Sequence, residues 1–151
     1  MICMTTPEQN RMQLNYELAV YKEQIQMIKR ETERISLTTV DLTNALKAVE
    51  GLEDEKALVP IGGGALVRGS VEGKQVLIPI GAQYLMEMEK ENAKVELEKR
   101  IEATKKAVSK LTEEFNKIAS KLKDASGQLQ TMEQQSKLSQ RVDENIREDY
   151  I

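Results

Sequence analysis

The sequence predicts a mainly α chain: two long helices that fold back on each other as an antiparallel intrachain coiled coil, joined at their inner ends by two β-hairpins. Three observations carry that class. Apolar residues recur at alternating steps of four and three along two separate stretches, which marks a coiled-coil seam rather than the wider stripe of a globular helix. Between those stretches, from Ala57 to Met88, the pattern changes to short β-branched runs broken by glycine. Aromatic content is 3%, with no Trp, too low for an ordinary globular core in 151 residues.

Helix one is expected over 7–51. Thr6 followed three residues later by Gln9 reads as a capping box, and Pro7 suits the first helical position, where its missing N–H costs nothing. The seam then runs Leu14, Leu18, Tyr21, Ile25, Ile28, Thr32, Ile35, Thr39, Leu42, Leu46 and Val49. Its threonines read as β-branched residues tolerated at the seam rather than as register markers. Gly51 is a plausible C-terminal capping glycine, followed by the acidic connector Glu53-Asp54-Glu55.

The hairpins are expected over 57–88. A five-residue phrase occurs twice, Leu58-Val59-Pro60-Ile61-Gly62 and Leu77-Ile78-Pro79-Ile80-Gly81. A second apolar run follows each copy, Ala65–Val71 and then Tyr84–Met88, as in two strand–turn–strand units. Both faces of Val76–Ile80 are apolar, so something must cover each side. Four short strands cannot bury themselves, and Pro60 and Pro79 belong on edges. The stretch therefore asks for strands from other chains. Leu58, Val59, Ile61, Leu66, Val67 and Val71 are the assembly candidates of the first hairpin; Val76, Leu77, Ile78, Ile80 and Leu85 are those of the second.

Helix two is expected over 89–148. Its seam is Leu97, Ile101, Thr104, Val108, Leu111, Phe115, Ile118, Leu122, Ala125, Leu129 and Met132. Glu96/Arg100, Glu102/Lys106 and Glu113/Lys117 add i,i+4 pairs on the solvated flanks. Gly127 costs roughly 1 kcal/mol relative to Ala inside a helix, which predicts local fraying. Beyond Met132 the seam fails at Ser136, Ser139 and Asp143, and a different stripe advances in steps of four: Leu138, Val142, Ile146, Tyr150. Leu14–Val49 and Leu97–Met132 are equally long, about 54 Å of helix each. Folded back, they set Leu14 opposite Met132 and Val49 opposite Leu97, leaving Met1–Gln13 and Glu133–Ile151 beyond the paired length.

Composition excludes much. Lys and Arg number 22 against 25 Asp and Glu, without the basic excess of a nucleic-acid binder. The chain has no His, and its one cysteine, Cys3, makes neither an intramolecular disulfide nor, alone, a metal site. Gly62-Gly63-Gly64 is not followed by Lys-Ser/Thr or a helix, so it reads as a turn rather than a phosphate loop. No catalytic residue, metal or cofactor is expected. Neither a membrane span nor a signal peptide is expected, which predicts a cytoplasmic protein without nucleic-acid or membrane partners.

Two long helices flanking two hairpins, with the repeated L-V/I-P-I-G phrase at Leu58–Gly62 and Leu77–Gly81, resemble the alpha-class subunit of prefoldin, a holdase chaperone of archaea and eukaryotes. The likeness covers essentially the whole chain as a single domain, 1–151, and two hairpins point to the alpha class because beta-class subunits have one. The resemblance implies a heterohexamer of two alpha and four beta-class subunits whose hairpins build a β-barrel platform. It also implies capture of unfolded client proteins without ATP, and their transfer to a group II chaperonin.

The residues suit that mechanism. A holdase needs adaptable apolar surface within reach, and methionine repacks readily against varied partners. Met1, Ile2, Met4 and Met12 at one end of the chain, with Leu138, Val142, Ile146, Tyr150 and Ile151 at the other, are the client-binding candidates. Two other readings stay open: a purely structural coiled-coil oligomer or filament former, and a nucleic-acid-associated arm. The near-neutral helix faces speak against the second.

Overall fold

The computed structural model describes residues 6–148. Its elements are α1 (Pro7–Glu50), β1 (Glu55–Gly62), β2 (Ala65–Val71), β3 (Gln75–Gly81), β4 (Tyr84–Glu89) and α2 (Lys90–Glu148). Two long helices thus bracket two antiparallel hairpins, as the sequence predicts. Contacts divide the chain into two compact units, one of residues 33–109 and one of the chain up to Thr32 with the chain from Lys110 onward.

In the unit of residues 33–109, a small core forms where the helices meet the second hairpin. Val49, Ile78, Ala93 and Leu97 are buried there, ringed by Leu42, Ala45, Leu46, Val76 and Met88. Ala93 is fully buried. It extends the α2 seam one four-residue step before Leu97, and its methyl is small enough to admit close packing. Ile101 is buried one step further along, and Thr39 meets Thr104 across the seam, hydroxyl to hydroxyl at 2.8 Å.

The two hairpins share one design. β1 pairs with β2 and β3 with β4, each pair a separate two-stranded sheet. Register runs from Glu55↔Val71 to Pro60↔Leu66 and resumes at Gly62↔Ala65, so Ile61 is the extra residue of a β-bulge. The second sheet repeats this from Gln75↔Glu89 to Pro79↔Leu85 and Gly81↔Tyr84, with Ile80 extra. Each repeated phrase is therefore strand end, proline, bulge and turn entry. The turns need two consecutive residues at positive φ, which matches strand twist. Gly63 and Gly64 supply it at 59° and 81°, while Ala82 and Gln83 adopt 48° and 65° against their steric preference.

A clasp joins the hairpins to the helices. α1 ends at Glu50, but Gly51 lacks the left-handed φ expected of a glycine cap. The last turn instead tightens: Gly51 N–H donates to Lys47 O and Leu52 N–H to Val49 O, each at 3.2 Å. The Asp54 carboxylate accepts from Gly73 N–H at 2.6 Å, Lys90 Nζ donates to Leu52 O at 2.7 Å, and Lys90 N–H donates to Lys74 O at 3.0 Å. The exit of α1, the β2–β3 link and the entry of α2 are thereby tied together.

In the other unit, α1 opens on the capping box: Thr6 N–H donates to Gln9 Oε1 at 3.0 Å and Gln9 N–H to Thr6 Oγ1 at 3.4 Å. Leu14, Leu18, Tyr21, Ile25 and Ile28 are half-buried, as are Leu111, Phe115, Ile118, Leu122, Leu129 and Met132, with Ala125 buried. Arg11 lies 3.8 Å from Glu133, and the Lys29 ammonium 6.0 Å from the Phe115 ring centre. Both contacts fit the antiparallel register that sets Leu14 opposite Met132. α2 runs unbroken through Gly127, whose carbonyl accepts the Thr131 hydroxyl at 3.0 Å.

Candidate functional site

Two surfaces stand out, and the first is the hairpin pair. Strand alternation puts Val76, Ile78, Met86 and Met88 on one face of the second hairpin and Leu77, Pro79, Leu85 and Glu87 on the other. Helix ends cover the first of these faces, where Ile78 is 4% exposed and Val76 and Met88 are half-buried. Ile78 thus serves the chain's own core, while Leu77, Ile80 and Leu85 stay exposed. The first hairpin has less cover. Leu58, Val59, Ile61, Leu66 and Val67 are all exposed, on both of its faces, while Ala57, Gly69 and Val71 toward its base are half-buried.

Two-stranded sheets leave one edge of every strand without a backbone partner. Open edges and bare apolar faces thus coincide on the same elements, and no segment among the described residues covers them. Tyr84 and Met86 belong to this exposed set as well. They lie in the run that follows the second glycine turn, which was the signal that could have added them to the candidates.

The second surface is the pair of helix ends. Sheltering of the seam stops at Met132: every position from Glu133 to Ile146 is exposed. Within that run Leu138, Val142 and Ile146 are 61%, 55% and 53% exposed, and Met12 on α1 is 73% exposed. The Arg11–Glu133 contact brings the two ends side by side. Met1, Ile2, Met4, Tyr150 and Ile151 lie outside the described residues. The outward apolar residues Tyr16 and Met27 on α1 were not foreseen, because they fall off the seam.

Among the described residues no cluster of His, Cys, Asp and Glu could hold a metal ion, and no helix is long and apolar enough to cross a membrane. The arrangement offers contact surfaces.

Comparison with known proteins agrees with this anatomy. The family model described as Prefoldin subunit matches residues 21–135. A prefoldin subunit alpha of Methanococcus aeolicus is 34% identical over 126 residues, covering 80% of this chain and 88% of that protein. A prefoldin subunit alpha of Pyrobaculum calidifontis is 30% identical over 117 residues, covering 76% and 87%. Among solved structures, a filamentous PFD from Methanocaldococcus jannaschii is similar with a TM-score of 0.65 and 25% identity, over 76% of this chain and 98% of that one. The beta subunit from Thermococcus strain KS-1 shares the fold, with a TM-score of 0.58 and 21% identity over 80% and 90% of the two chains. The chain belongs to the prefoldin family, as an alpha-class chaperone subunit of archaeal type.

Proposed function

We propose that this subunit joins beta-class subunits through its hairpins, two alpha with four beta, and grips non-native proteins at the ends of its helices. The hairpins would close with those of the partners into a β-barrel platform, which would cover the three faces and four strand edges that lie bare in the single chain. Capture would need no ATP, and the held protein would pass to a group II chaperonin in the cytoplasm. The observation that carries the reading is the abrupt end of the sheltered seam at Met132, followed by the exposed stripe Leu138, Val142 and Ile146. An unpaired apolar stripe on an intact helix is a surface that repacks against many sequences without chain refolding.

The test replaces Leu138, Val142 and Ile146 together with Gln, a good helix former. Native mass spectrometry should find the hetero-oligomer intact, since these side chains touch neither hairpin nor seam. Suppression of aggregation of a denatured model protein, diluted into buffer without ATP, should demand at least about tenfold more complex. Undiminished protection would remove the helix ends from the mechanism. A structural role as a filament former is the second reading, favoured by the likeness to a filamentous PFD. Electron microscopy showing filaments of this chain alone, with no client protection by the mixed complex, would select it.

A further inference from the structure

The stripe at the end of α2 is framed unevenly. Leu138, Val142 and Ile146 advance four residues at a time, so at 3.6 residues per turn Gln134, Lys137 and Arg141 fall along one side of it. Ser139 and Asp143 fall along the other. A groove of about 290 Å³ is lined by Gln134, Lys137, Leu138 and Arg141, which sets one leucine of the stripe beside two cations.

Neither cation is neutralised among the described residues. Glu133 precedes Lys137 by one turn but lies 3.8 Å from Arg11 on α1 instead. Arg141 has Lys137 four residues before it and Asn145 four residues after. Glu144, three residues on, forms no ion pair with it among the described residues.

From this geometry we infer that the end of α2 discriminates among non-native segments, taking apolar stretches that carry Asp or Glu and disfavouring those that carry Lys or Arg. The inference rests on the client-capture reading and names the class of segment captured. An apolar side chain lies on Leu138 and Val142 while a carboxylate one or two residues away meets Lys137 and the planar fork of Arg141.

Three labelled peptides of equal leucine content, alternating Leu with Glu, Gln or Lys, provide the test by fluorescence anisotropy on the assembled complex. The Glu peptide should bind roughly three- to tenfold more tightly than the Lys peptide at low salt, as expected for two exposed charge pairs. High salt should shrink that ratio. In the complex carrying Lys137→Glu with Arg141→Glu, the ratio should fall below its wild-type value or invert, with the Gln peptide unchanged. A ratio indifferent to the charge reversal would overturn the inference while leaving capture itself standing. Substituting Leu138, Val142 and Ile146 with Gln should weaken all three peptides. If that variant binds all three as the wild type does, the capture reading fails too.

Discussion

Thr39 and Thr104 place a polar pair inside a seam whose neighbours are aliphatic. Their hydroxyls stand 2.8 Å apart, while Thr39 Oγ1 also lies 2.9 Å from Ile35 O and Thr104 Oγ1 2.7 Å from Ile101 O. Two hydroxyl protons serve three short contacts, so each hydroxyl's bonding depends on the other's. The sequence reads Thr39, with Thr32, as a β-branched residue tolerated at the seam, because spacing alone does not show that its hydroxyl meets another across it. The contact favours a register role instead. A double-mutant cycle with Thr39→Val and Thr104→Val should show coupling of about 1 kcal/mol in thermal or denaturant unfolding; additive effects would make the contact incidental. Gly73 was equally illegible. A Cβ there would sit 2.8 Å from the Cα and carbonyl carbon of Glu53, backbone atoms that cannot swing away. Gly73→Ala should therefore cost about 1–3 kcal/mol, seen as a lowered unfolding midpoint. An unchanged midpoint would mean that the clasp yields cheaply.

At the scale of elements the sequence was far more legible. The seam positions from Leu14 to Met132 are all sheltered, because a seam two residues wide per heptad leaves little freedom over which face turns inward. The hairpins were legible too, since the repeated proline-bulge-glycine phrase carries its own turn geometry. What escaped was the side of the second hairpin that the helices claim. Val76–Ile80 is apolar on both faces, and only packing decides that Ile78 points into the core with Ala93 and Leu97 while Leu77 does not. If the hairpins assemble as proposed, this division separates folding from assembly. Leu77→Lys with Leu85→Lys puts charge on the uncovered face and should yield a helical, soluble monomer, because a charge on a buried partner interface prevents pairing. Ile78→Ala should instead destabilise the single chain by about 2–5 kcal/mol. Circular dichroism with analytical ultracentrifugation separates the two outcomes. A complex that survives both lysines would move assembly off this face.

At the scale of the molecule, the proposed function puts assembly and capture on different residues, yet the strength of capture should depend on assembly. Among the described residues one helix end offers a short stripe of three apolar side chains and Met12, a small area for gripping a flexible segment that loses freedom when held. Several such ends on the proposed platform would hold the same chain at several points, and linked weak contacts can raise apparent affinity by about 10²–10⁴ without any new contact. The monomer carrying Leu77→Lys and Leu85→Lys keeps its helix ends, so it makes the comparison directly. It should still bind a labelled denatured protein, but on the order of 10²-fold more weakly than the complex, counted per helix pair. Protection from aggregation should then appear only at large molar excess. Equal protection per helix pair would show that a single end suffices and that the platform serves another purpose. Complete loss of binding, even at high concentration, would place the grip in a surface that exists only after assembly.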